Sequence, residues 1–174
     1  MRMAIEPDSK DWTWVLDEPC TECGFDANAL DARAVAGRLR AAIPRWIAVL
    51  LRPDARTRPD ASTWSPAEYA CHVRDVLAVF RDRVELMLDA DDPEFANWDQ
   101  DEAARADEYA AQVPVRVGPV LRARGLRMAQ LLESVPSDAW SRTGRRSNGS
   151  TFTIETLVLY LWHDITHHLH DIDA

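Results

Sequence analysis

Apolar residues recur at helical spacing through most of the chain, and no segment shows sustained alternation bounded by hairpin turns. The spacing predicts four long helices. The first runs from Asn28 or Asp31 to Leu51, with Leu30, Val35, Leu39, Ile43, Trp46, Ile47 and Leu50 as its apolar stripe. Pro44 is expected to interrupt or kink it. A charged linker punctuated by prolines follows from Arg52 to Asp60. The second helix has the clearest start: Ser65-Pro66-Ala67-Glu68 supplies an N-cap serine, a proline at N1 and a glutamate at N3, a complete capping box. Tyr69, His72, Val73, Val76, Val79, Phe80, Val84 and Met87 carry it to about Leu88.

An acidic stretch from Asp89 to Glu94 ends this helix, and the polar region to Asp107, with its isolated Trp98, reads as a long irregular or partly helical connection able to cover a pocket mouth. The third helix is expected from Val115 to Ser134, on Val120, Leu121, Met128, Leu131 and Leu132. Gly118-Pro119 and Gly125 argue against it. Residues 135–149 are rich in turn formers, with room for a short ribbon or a disordered tip. The last helix begins at Thr151 or Thr153, includes Ile154, Leu157, Val158 and Leu161, and ends near Asp171. Residues 1–27 are then an N-terminal extension, and 28–174 a single helical domain.

Composition narrows the function classes. The 174 residues, 47% hydrophobic and 28% charged with seven Trp, suffice for one domain with its own core. A net charge of −9 without a basic stripe disfavours nucleic acid, leaving a small-molecule substrate or other proteins as partners. No apolar run approaches the roughly 20 residues of a membrane span, and the first residues lack a signal-like apolar stretch. A cytoplasmic protein with no membrane partner is expected. The odd number of cysteines, three, does not suggest a disulfide framework.

Four of the five histidines lie between positions 163 and 170. His163 and His167, at i and i+4, share one helix face in metal-ligand geometry. His170 continues that stripe, whereas His168 points away and reads as a surface residue. His72, on the second helix, is a candidate third ligand, and three ligands would leave the ion open positions for water or substrate. Each has a plainer reading. His72 alone would be a hydrogen-bonded core histidine, and the others would complement the C-terminal end of a helix dipole. His163-Asp164-Ile165-Thr166-His167 imitates a zincin motif with Asp for Glu, but the side chain is shorter and no further ligand lies beyond His170. Cys20-Thr-Glu-Cys23 would need two more thiolates or histidines nearby to hold zinc, so packing beside Trp12 and Trp14 is the favoured reading. Cys71 reads as a buried, inert thiol.

Trp64-Ser-Pro-Ala-Glu-Tyr-Ala-Cys-His72 and Leu161-Trp-His-Asp-Ile-Thr-His167 resemble the second-helix and last-helix segments of the DinB/YfiT-like metalloproteins, to which thiol-dependent S-transferases and mycothiol-dependent maleylpyruvate isomerases are related. The resemblance spans Asp31 to Asp171. It implies an all-α four-helix bundle of up-down-down-up topology, often a homodimer, with His72, His163 and His167 as the metal triad and His170 facing substrate. The ion would be Zn2+, with Ni2+ or another first-row ion as the alternative. The implied activity is transfer of a low-molecular-weight thiol to an electrophile. A metal-dependent hydrolase and a non-catalytic stress-response module are the competing expectations.

Overall fold

The computed structural model describes residues 11–174. Among them are five α-helices, α1 (Val35–Leu50), α2 (Pro66–Asp89), α3 (Gln100–Ala106), α4 (Pro114–Ser134) and α5 (Ile154–Asp171), and three short strands, β1 (Glu94–Phe95), β2 (Thr143–Arg146) and β3 (Thr151–Thr153). The four long helices are the expected ones. Before α1 come two separate 3-10 turns, Ala27–Ala29 and Ala32–Ala34, because the carboxylates of Asp26 and Asp31 each accept the N–H two residues on and close local turns. The first α-helix therefore starts later than the sequence pattern predicts. Pro44 does not break α1: it and Arg40, whose carbonyl loses its N–H partner, both face solvent, so the carbonyl is not buried without a partner.

The capping box of α2 is formed as read, with Ser65 Oγ accepting from the Glu68 N–H and a Glu68 carboxylate oxygen accepting the Ser65 N–H at 2.9 Å. Arg58 from the preceding linker pairs with the same buried carboxylate. The glycine that weakens α4 as a sequence has a packing reason. A Cβ on Gly125 would lie 2.8 Å from Ile43 Cδ1, so its absence lets α4 lie close along α1. Packing also joins α4 to α2, and α5 to α2 and α1, around one continuous core.

The connections are more structured than the sequence suggests. β2 and β3 form the ribbon, pairing Gly144 with Phe152, and β1 joins as a third strand parallel to β2. Two-residue β1 carries too little pattern to be read from spacing. α3 and a 3-10 turn at Tyr109–Ala111 fill the stretch between β1 and α4. Val15, Cys20, Phe25 and Ala27, ahead of α1, are buried in the same core as the helices. No helix among the described residues is long and apolar enough to cross a membrane.

Candidate metal centre

α5 is capped at Thr153, whose hydroxyl accepts the Thr156 N–H, and it buries Ile154, Leu157, Leu161, Ile165 and Leu169. That register aims its polar residues in two directions. His163 and His167 stand one turn apart with ring centroids 5.0 Å from each other. Asp164 and His168 form a second i, i+4 pair, turned from the first by about 100° around the axis. Both pairs line one cavity of about 290 Å³, walled by Trp12, Trp64 and Tyr69 and edged by Gln100 and Asp101 of α3. The connection after α2 thus reaches the pocket mouth, as expected.

The two pairs have different company. Ligand atoms of His163, His167, Cys20 and Cys23 all lie within 4.8 Å of one another, and so do those of His72, Asp164 and His168. In the first group the Cys20 thiol sits 3.6 Å from His167 Nδ1, while His167 Nε2 faces Glu22 at 3.4 Å and Asp171 at 3.6 Å. In the second, His72 Nε2 meets both Asp164 oxygens at 3.3 Å, and the His168 ring packs edge-on against His72 at 4.9 Å. Trp98 stacks on His72 at 5.5 Å.

Burial, with the nearby His167, pushes His163 down to about 4, and burial also lowers His167, so both rings are neutral donors of lone pairs at neutral pH. Burial would raise the Asp164 carboxyl, but the adjacent His72 wins and holds it at about 2. Burial pushes the Cys23 thiol up to about 11 and Cys71 up to about 12. His163 Nε2 and His72 Nδ1 are buried with no hydrogen-bond partner. Orphaned buried nitrogens are rare in folded proteins, and one beside each ligand group fits a site made for a cation.

The structure gathers His163 and His167 but divides the expected triad, because His72 belongs with Asp164 and His168. His170 is exposed, with its ring 6.5 Å from that of His167, and it does not line the cavity. His168, read as a surface residue, is instead half-buried against Tyr69 and His72. A helical wheel gives its direction but not the helix that meets it. Cys71 is buried, as read, outside both groups. For Cys20 and Cys23, the two missing ligands exist in the chain but arrive from its other end. The signal was in the sequence as two pairs, C-x2-C and H-x3-H; only the fold joins them.

A sequence profile described as the DinB superfamily matches residues 52–172. No curated protein matches the chain significantly. Among solved structures, one from Bacillus subtilis is similar at 18% identity and a TM-score of 0.67, covering 88% of this chain and 86% of that one. It is YfiT, described as "a probable metal-dependent hydrolase with an unusual four-helix bundle topology". The fold is that all-α, up-down-down-up bundle.

Proposed function

The chain belongs to the DinB superfamily, and we propose that it is a divalent-metal-dependent enzyme that transfers a low-molecular-weight thiol to a small electrophile bound in the α5 cavity. The observation that carries the metal is the meeting of His72, Asp164 and His168, from two helices, at the wall of a cavity of small-molecule size that Asp164 and His168 line. Three ligands leave open positions, and two imidazoles with one carboxylate suit Zn2+ and other first-row ions. A divalent ion there supplies a Lewis acid that lowers the pKa of a bound thiol. The protein's own groups do the rest. Trp64 and Trp98 pack on the His72 ring and keep water from it, and the aromatic walls receive the apolar body of the electrophile. The thiol itself rests on the likeness to the thiol-dependent relatives, and a cytoplasmic setting would keep it reduced.

One observation favours hydrolysis as a second reading. The same three-ligand centre leaves its open positions as available to water as to a thiol. The YfiT description supports the same class. A single screen separates the two. Metal-stripped and reloaded protein is offered a chromogenic electrophile with several thiols, and separately chromogenic esters and amides. Metal-dependent thiol consumption, lost on the order of 100-fold in His168→Ala, supports the transferase with its His72, Asp164 and His168 centre. Metal-dependent ester or amide turnover without thiol, likewise lost in His168→Ala, supports the hydrolase instead.

A further inference from the structure

We propose that Cys20, Cys23, His163 and His167 form a closed, four-coordinate zinc site that clamps the segment ahead of α1 onto α5. The site is separate from the open centre assigned above to His72, Asp164 and His168, so either assignment can fail without the other.

Four observations converge on it. The donor set is complete: two sulfurs and two ring nitrogens lie within 4.8 Å of one another, the number and chemistry of a tetrahedral structural zinc site. The spacings, C-x2-C and H-x3-H, present each pair from one turn of chain. Next, the cysteine turn is built for it. The Cys20 N–H donates to the Phe25 carbonyl at 2.8 Å and the Gly24 N–H to the Cys20 carbonyl at 2.9 Å, and the turn closes through Gly24 at φ 73°, a conformation that favours glycine. Both thiols are thereby turned toward α5.

The histidines are also oriented as ligands. His163 is 3% exposed, yet its Nε2 has no partner. His167 directs Nδ1 at Cys20 while Nε2 faces the Glu22 and Asp171 carboxylates, the outer contacts that fix a ligating ring. Finally, aromatic rings cover much of the site. Trp12 lies over both rings, at 5.7 Å from His163 and 5.1 Å from His167, and Phe25 meets His163 edge-on at 5.1 Å. Two thiolates neutralise Zn2+, and a neutral cluster is the kind that an apolar wrapping can enclose without a large desolvation cost. On binding, the two thiol protons leave to solvent and no redox partner is needed.

Cobalt makes the site visible in the wild-type protein. Purified, reduced protein is stripped, loaded with Co2+, and its near-ultraviolet spectrum recorded with no thiol added. A sulfur-to-cobalt charge-transfer band is expected, kept in His72→Ala and lost in Cys20→Ser/Cys23→Ser. Elemental analysis of the double variant should show retained Zn2+ reduced by more than about tenfold. Alkylation mapped by mass spectrometry on zinc-loaded wild type should find Cys23 protected until a chelator is added. This reading needs no variant to fold. A wild-type cobalt form without the band, Cys23 alkylated equally with and without zinc, or a Cys20–Cys23 disulfide in native protein that persists in the presence of zinc would each overturn the proposal.

Discussion

Asp75 receives three partners at once: Arg74 as a two-pronged ion pair, Arg124 from α4, and the Tyr109 hydroxyl at 2.6 Å. Burial would raise its carboxyl, but these donors outweigh burial and hold it low. Through Tyr109 this one carboxylate ties the chain after α3 to α2, and so fixes the edge of the cavity. Tyr109→Phe removes a bond to a charged acceptor and should cost about 2 kcal/mol. Thermal melts of the two proteins compare directly, and equal midpoints would show that the bond contributes nothing. None of this was legible at the residue scale, because the long-range partners of Asp75 come from α4 and from the turn after α3, which only the fold brings together. The candidate ligands were half legible. That His163 and His167 share one face followed from spacing alone, whereas the company of His72 depends on which side of α5 faces α2.

At the scale of elements, the strongest sequence signals were those with local chemistry. The Ser65 capping box was readable because cap, proline and glutamate are contiguous, and the structure forms both of its reciprocal bonds. Ser65→Ala should cost ~1 kcal/mol and leave the cavity ligands in place. A melt at the wild-type temperature would contradict that. Glu68 adds a pH dependence. Burial would raise its carboxyl, but Arg58 and Ser65 together hold it below its ordinary 4.5. A folded value below the unfolded one means stability that is fully present above pH 4.5 and is lost as pH falls through the folded value. Glu68→Gln should therefore be less stable than wild type at pH 7, and the gap should narrow as the pH is lowered below 4.5. Denaturant titrations at several pH values test this, and a gap independent of pH would refute it. The sheet was the least legible element. β2 and β3 could be expected only as a ribbon, and β1 is specified by its partner rather than by its own two residues. Gly125 misled for a related reason: helix propensity counts against it, while the close approach of α1 requires it. Gly125→Ala should destabilise by about 1 kcal/mol or more despite the gain in propensity, since Ile43 must move. A more stable variant would show that the α1–α4 contact yields readily.

For the whole molecule, the bundle was legible from four stripes and a likeness in two segments, but the placing of Val15, Cys20, Phe25 and Ala27 on the core was not. Periodicity reports how a segment folds on itself; it is silent on a turn such as Cys20 to Phe25 that gains order only against α5. Chelation should therefore act on the fold as well as on any activity. Removing bound metal should lower the midpoint of thermal unfolding by about 5 to 10 °C at a fixed protein concentration. A midpoint indifferent to chelator would mean that no ion supports the native state.

Cys20 and His167 touch across 147 positions of sequence. A contact of that span encloses nearly every other element within one loop, and its closure entropy is met only after those elements have come together. It belongs to the end of folding rather than the beginning. Interactions absent from the transition state act on the unfolding rate alone. In stopped-flow experiments, chelator should leave refolding of the helices at its usual speed and quicken their unfolding, so that the junction of the Cys20 turn with α5 governs how long the native state lasts rather than how soon it is reached.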